Sequence, residues 1–473
     1  MALLSRKREM GLLILATLIV AALLANLELA QGNALGKEIA WIIGGFILIF
    51  SIAHIALCFL APHADQLLLP ITATLNGIGL VIIYRLDLEG GTNMAKRQVM
   101  WTVVGIILLI SVLAIVREHR SLTRYSYLLG LLGLGLLILP LFFWFSPANE
   151  EARIWVSLGP LSVQPGEFSK ILLLLFFAQL LVNKRALFTV AGYRFMGLDF
   201  PRLRDLAPIL AVWGIAILIM AGSNDFGPAL LLFTTVLGML YFATGRASWL
   251  LIGTVLVAVG GTAVYTISTK IQARVANFLD PIGNYDGSGL QLSQALFGMS
   301  FGGITGTGIG KGYPYIIPVV HSDFILAAVG EELGLIGLSA VVLLFALFVT
   351  RGLRVAMEVR DSYGKLAAAG LSLTLAVQVF VVIAGISALM PMTGLTTPFM
   401  SQGGSSLMAN YVLLGILLRI SHSARTPQTP PPGATDGSGQ SALNPGVSDD
   451  PSGTGLFPQV TAEPPAGRTV RRS

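Results

Sequence analysis

Apolar runs of about 17 to 25 residues recur from Met10 almost to Arg419, each long enough to cross a hydrocarbon core about 30 Å thick. Within such a core every backbone N–H and C=O must find its partner in the protein, which leaves helices and closed barrels as the spanning structures. Barrel strands read as segments of about ten residues that alternate apolar and polar, whereas these runs are apolar on every side. Charged residues form 11% of the chain against about 25% in soluble domains, so a water-soluble globular protein is excluded. The sequence predicts an all-α polytopic membrane protein. Its spans fall at roughly 10–29, 38–60, 67–85, 98–116, 127–146, 168–182, 207–222, 227–243, 247–267, 323–350, 366–389 and 404–420, about twelve transmembrane helices in all.

The formal net charge of +6 does not describe a nucleic-acid surface, because the basic residues sit in short loops between the runs. With the N-terminus inside, the inner segments hold Arg6, Lys7, Arg8, Arg117, Arg120, Arg124, Lys184, Arg185, Arg351, Arg354 and Arg360, and the outer loops hold fewer. The positive-inside rule therefore puts both termini in the cytoplasm and one long segment, about 268–322, on the extracytoplasmic side. The first span is read as a retained helix, since no clear small-x-small cleavage site follows it. From Arg425 onward Pro, Gly, Ser and Thr dominate, and a tail of that composition is expected to be disordered. Cys58 is the single cysteine, and the five histidines lack metal-ligand spacing, so neither a disulfide nor a dedicated metal site is expected.

Chemistry-bearing residues gather in three places. The long outer segment carries Arg274, Gln291, Gln294, a glycine-rich stretch ending in Gly310-Lys311-Gly312, and then His321-Ser322-Asp323. Arg274, Lys311, His321 and Asp323 around a glycine backbone suggest an anion-handling site with a carboxylate at its edge, and a plain flexible loop is the alternative. Asp323 could be the general base for a hydroxyl or merely the N-cap of the following helix. Carried along one helix, Glu331 lies about 12 Å deeper and about 80° round from Asp323, so it is expected in the same cavity, with Glu332 on the far side. A second group runs from Arg153 and Trp155 through Gln164-Pro165 to Glu167 and Lys170, an i, i+3 pair that either braces its helix or lines the cavity. A third is the turn at Asp225, together with the polar run 394–406 containing Ser401 and Ser405, suited to a re-entrant turn buried in protein.

Taken together these markers resemble the SEDS family (shape, elongation, division and sporulation), the bacterial RodA/FtsW/SpoVE group. The resemblance covers about 67–421 and rests on Arg153 with Trp155, Gln164-Pro165 with Glu167 and Lys170, Asp225-Phe226-Gly227, Arg274, Asp280-Pro281, Gln291 with Gln294, Gly310-Lys311-Gly312, His321-Ser322-Asp323, Gly330-Glu331-Glu332, and Pro398 through Ser406. It divides the chain into two additional N-terminal helices (1–66), a ten-helix glycosyltransferase core (67–421) and the cytoplasmic tail (422–473). Val319, Ser322, Ile154, Gly166 and Leu290 depart from the family pattern. Within the family, Gly394-Leu395-Thr396-Thr397-Pro398, the run Tyr84-Arg85-Leu86-Asp87 and the extra N-terminal helices look more like actinobacterial RodA than FtsW.

The resemblance implies a peptidoglycan polymerase in the bacterial plasma membrane that extends glycan strands from lipid II, for elongation and shape. A class B penicillin-binding protein and other proteins of the elongation or division complex would be its partners. Asp323 is then the expected catalytic base. Arg274, Lys311, His321, Gln291, Gln294, Trp155, Arg153, Glu167 and Lys170 are expected near substrate, with Glu331, Ser401 and Ser405 behind them. No organic cofactor is implied; Arg274, Lys311 or a divalent cation (Mg2+ or Mn2+) would balance the departing diphosphate. The rival readings are a lipid II flippase, which would carry its key charges near the midplane, and a scaffold that activates a partner synthase.

Overall fold

The computed structural model describes residues 6–32, 36–142, 154–158, 161–189, 193–195, 198–200 and 203–427. The chain falls into two units, Met1–Thr426 and Pro427–Ser473; Arg153 and the Pro/Gly/Ser-rich tail from 428 lie outside the described residues. In chain order the helices are α1 (Lys7–Ala30), α2 (Lys37–Leu60), α3 (Leu68–Gly90), α4 (Met94–Ile115), the short α5 (Ser121–Arg124), α6 (Ser126–Ile138), α7 (Pro165–Thr189), α8 (Leu203–Gly222) and α9 (Phe226–Thr244). They continue with α10 (Ser248–Ile267), α11 (Thr269–Leu279), α12 (Leu290–Gly302), α13 (Ile325–Glu332), α14 (Gly334–Glu358), α15 (Ser362–Ile386) and α16 (Gly404–Arg425). Two short 3-10 helices, Leu139–Leu141 and Pro314–Ile316, and two small antiparallel hairpins, Val156–Leu158 with Leu161–Val163 and Tyr193–Phe195 with Leu198–Phe200, complete the described secondary structure.

Among the described residues ten helices are long and apolar enough to cross a membrane, and α6 and α8 supply two shorter apolar helices. Each of the twelve apolar runs therefore contains a helix among the described residues, as an all-α polytopic protein requires. Helices α3 and α16 are buried along 94% and 89% of their apolar windows, whereas α10 is buried along 6%. That contrast makes α3 and α16 the inner helices and leaves α10 at the periphery, its apolar side chains facing outward. Against lipid, association depends on close packing and interhelical hydrogen bonds. Asn76 of α3 donates to the Phe399 carbonyl at 3.1 Å, and Gln98 of α4 donates to the Ser401 carbonyl at 3.3 Å. Both hold the irregular, largely buried segment between α15 and α16, where backbone groups would otherwise lack partners.

One predicted helix is two. The apolar pattern over 323–350 reads as a single span, but the chain turns at Leu333, separating α13 from α14. Gly334 adopts a left-handed φ of 68° while the glycine-rich segment packs its backbone into the break. The N–H groups of Thr307 and Gly308 donate to the carbonyls of Glu331 and Glu332 at 3.0 and 3.1 Å, and those of Leu335 and Ile336 donate to Gly303 and Ile304 at 2.9 and 3.1 Å. The glycines thus allow backbone to dock on backbone; they do not form a loose loop. A side chain at Gly334 would both strain the left-handed backbone and meet the Gly306 segment. Gly334→Ala is expected to destabilise the fold by at least about 1–3 kcal/mol, the strain contribution alone. Thermal melting of the detergent-solubilised protein checks this, and an unchanged midpoint would contradict it.

Candidate active site

Helix α11 starts at Thr269, directly after span α10, and its N-cap Ser268 accepts a hydrogen bond from the Ile271 N–H. Thr269, Lys270, Ala273, Arg274 and Asn277 recur at helical spacing and together form one wall of a cavity of about 660 Å³. Asn224, Ser288, Gln291, Leu292, Asp323, Phe324, Met392 and Gly394 complete it. The cavity therefore gathers one carboxylate and two cations from segments distant in sequence.

Local contacts fix Arg274, Gln291 and the backbone that leads into Asp323. The Arg274 guanidinium donates to the Thr393 carbonyl at 3.1 Å, tying α11 to the segment after α15. Gln291 donates to the Pro318 carbonyl at 2.7 Å, steadying the chain as it approaches Asp323. Ser401 donates to the Ser322 carbonyl, the Gln402 N–H donates to the His321 carbonyl at 2.8 Å, and the Thr397 N–H donates to Ser401 Oγ at 2.8 Å. Ser401 and Gln402 thus brace the backbone immediately before Asp323. Ser405 accepts from the Gln164 N–H at 2.8 Å and so links the start of α7 to the start of α16.

Asp323 is not the cap of the next helix: α13 begins at Ile325 with Phe324 at its N-cap position, and no side chain caps it. This also explains why extrapolating one helix from Asp323 misplaces Glu331. Asp323 sits in a turn, so its direction is not set by helical rotation. Glu331 instead borders a separate cavity with Gln294, Phe297 and Phe301, and accepts the Tyr313 N–H at 2.6 Å. Glu332 is fully buried and pairs with Arg85 of α3 at 3.1 Å.

The four groups expected around the glycine-rich stretch are not brought together. Arg274 and Asp323 share the cavity. Lys311 is exposed, beside a Gly310 that packs against Leu27 and Ala30 of α1. His321 is half-buried near Arg97 and Asp87, and burial, then Arg97, holds its imidazole below the usual histidine range. Gln294 donates to the Tyr285 hydroxyl at 2.9 Å. Trp155 is half-buried immediately before the first hairpin. Glu167 and Lys170 form a buried ion pair at 2.6 Å, and Lys170 also donates to Gln378 Oε1 at 3.2 Å; neither is among the residues lining the Asp323 cavity. Lys270 and Asn224 do line it and were not singled out from the sequence; Lys270 is readable there as the i−4 companion of Arg274 on an amphipathic segment.

Burial raises the Asp323 carboxyl above its ordinary value of 3.8, against its own backbone N–H and the more distant charge of Arg274, which favour the anion. Asp225, half-buried at the start of α9 with no capping bond from its side chain, is pushed up to about 6 by burial first and then by Glu167. The donor set does not fit a protein-held divalent cation. Asp323 is the single carboxylate among the lining residues, beside Lys270 and Arg274, and among the described residues no three His, Cys, Asp or Glu side chains are grouped to hold an ion. The positive charge of this cavity comes from its two basic side chains.

The chain is 47% identical over 429 residues to the peptidoglycan glycosyltransferase RodA of Mycobacterium tuberculosis, covering 89% of this chain and 92% of that protein. To the peptidoglycan glycosyltransferase RodA of Mycobacterium leprae it is 48% identical over 434 residues, covering 89% and 91%. Among solved structures, a chain of a peptidoglycan synthase complex that coordinates polymerization and crosslinking superposes with a TM-score of 0.63 at 26% identity, over 76% of this chain and 98% of that one. The model of the FtsW, RodA and SpoVE family, described as cell cycle proteins, matches residues 65–426, a stretch that includes the whole Asp323 cavity, and the chain belongs to that family.

Proposed function

We propose that the chain is a RodA-like peptidoglycan glycosyltransferase that polymerises glycan strands from lipid II during cell elongation. The observation that carries this reading is the cavity in which one buried-side carboxylate, Asp323, is joined by Lys270 and Arg274. The reaction joins the C4 hydroxyl of an acceptor GlcNAc to the anomeric carbon of a lipid-linked MurNAc. Passing from an α-linked donor to a β1,4 product requires one in-line displacement with inversion. Asp323 accepts the hydroxyl proton as the new C–O bond forms, and the donor's C–O bond breaks with its electron pair leaving on the undecaprenyl diphosphate. That leaving group departs as an anion, so it needs no acid of the kind an inverting glycosidase supplies. Arg274 and Lys270 stabilise it electrostatically. The excess of basic residues in alternate loops supports an extracytoplasmic position for this cavity and cytoplasmic termini. A class B penicillin-binding protein would crosslink the emerging strand.

The test is strand synthesis by the purified full chain, co-expressed with its candidate partner and given lipid II. A ladder of polymer on a gel is expected. No polymer from an intact complex, with lipid II carried across vesicle membranes instead, would replace this reading with a flippase. A pH profile adds a sharper expectation. A base must be deprotonated to act, so kcat/KM should fall as pH drops through the raised Asp323 value, placing the acid limb above the ordinary 3.8. A limb at or below 3.8 would remove Asp323 from that role.

A further inference from the structure

A second cavity, of about 640 Å³, is lined by Lys7, Arg8, His63, Arg351 and Arg425, with no carboxylate among its lining residues. These come from the start of α1, the α2–α3 connection, the late part of α14 and the end of α16. It lies at the opposite end of the bundle from Asp323. Helix α14 starts at Gly334, next to the α13 break, and reaches Arg351 about 25 Å further on at 1.5 Å per residue.

The wall of this cavity is held rigidly. Asp65 is fully buried, and its Oδ2 accepts from Arg351 Nε at 3.0 Å and from Arg425 Nη2 at 2.9 Å. Glu358 accepts from Arg425 Nε at 2.7 Å and from Arg354 at 3.1 Å. Burial would raise the Asp65 carboxyl, but the Arg351, Leu67 N–H and Arg425 hydrogen bonds outweigh it and hold it below the usual range, so it stays ionised. Three guanidiniums, those of Arg351, Arg354 and Arg425, thus share the two carboxylates of Asp65 and Glu358 and are oriented without being neutralised one for one. Lys7 and Arg8 are exposed at the rim and form no ion pair among the described residues. A concavity that combines the held guanidiniums of Arg351 and Arg425 with the exposed Arg8 guanidinium and Lys7 ammonium is suited to phosphate oxygens.

We propose that this cavity binds the phosphates of an anionic phospholipid headgroup, on the membrane face opposite the Asp323 cavity. The occupant is a lipid because of where the charges sit. Lys7 opens the α1 span, and Leu67, which also lines the cavity, directly precedes the α3 span. A phosphate held there has its acyl chains beside apolar helices, in the headgroup layer where basic pockets between helices take up anionic lipid.

Binding is measured on the purified full chain by native mass spectrometry with cardiolipin, phosphatidylglycerol and phosphatidylcholine, and with inorganic diphosphate as a tail-less competitor. The wild type should retain cardiolipin and phosphatidylglycerol over phosphatidylcholine and should not release them to diphosphate. Lys7→Gln with Arg8→Gln should weaken anionic-lipid binding about ten- to thirty-fold, the expected effect of removing two basic groups near a membrane surface. Both residues are exposed, so this variant leaves the Asp65 cluster intact. Arg117→Gln with Arg120→Gln removes two charges just after α4, outside the cavity, and should change binding less than two-fold. Equal losses in the two variants would reduce the effect to general surface charge. No preference among the lipids, or displacement by diphosphate, would overturn the lipid site.

Discussion

Asp323→Asn should reduce strand synthesis by about 10²–10⁴-fold, the contribution of a positioned general base, while the protein folds and binds its partner as before. Asn keeps the size of the side chain and much of its hydrogen bonding but accepts no proton near neutral pH. The site is half-buried, and Asp323 forms no ion pair among the described residues, so the substitution leaves no orphaned cation. Folding should therefore be unaffected, which a melting curve and co-purification with the partner would verify. The loss should appear in kcat and kcat/KM together, because a proton taken in the transition state contributes nothing to ground-state binding. Arg274→Gln and Lys270→Gln should behave differently, with weaker diphosphate-donor binding accompanying slower turnover. Should Asp323→Asn polymerise lipid II at the wild-type rate, the base assignment fails and the cavity would act only by binding.

How much of this was legible depends on the range of the interaction responsible. Lipid imposes its demand on every residue of a span, so the spans could be read directly from apolar runs, and the inner position of α16 is consistent with the polar residues it shares with the 394–406 segment. The break at Leu333–Gly334 was not legible, since it is created by Gly303 to Gly308, some thirty residues earlier, docking backbone to backbone. Nor was the start of α13 at Ile325, which leaves Asp323 in a turn, and helical extrapolation from Asp323 therefore puts Glu331 in the wrong cavity. Arg274 and Asp323 were legible from residue type and family pattern, but that Lys311 stands apart from them follows from Gly310 seating against α1. Lys270 carried a usable signal, its i, i+4 spacing to Arg274, yet a lysine on a polar segment is ordinarily a solvated surface residue. Ser401 and Ser405 were expected behind the site from the family pattern, and the structure shows Ser401 donating to the Ser322 carbonyl and accepting from the Thr397 N–H, and Ser405 accepting from the Gln164 N–H.

The Glu167–Lys170 pair was readable either as a brace or as a substrate contact, and its stability should now discriminate between them. Lys170→Met leaves Glu167 buried without its cation and should destabilise the protein by about 3–5 kcal/mol. Adding Glu167→Leu removes the uncompensated charge, and a buried pair replaced by apolar side chains of similar volume is often neutral or stabilising. Gln378 Oε1 would lose its Lys170 donor, at about 1–3 kcal/mol, although Gln378 Nε2 keeps its 2.7 Å bond to the Thr396 carbonyl. The double variant should therefore recover part of the stability lost by Lys170→Met. A brace further requires that the recovered protein still polymerise lipid II, because neither residue lines the Asp323 cavity. Its electrostatic trace should be visible at Asp225, where Glu167 is the larger of the pair's two opposing influences. Removing both charges should lower the Asp225 value from about 6, seen as a downward shift in the titration of its carboxyl carbon by NMR. A double variant that melts like the wild type but makes no strand would instead assign these two side chains to the substrate.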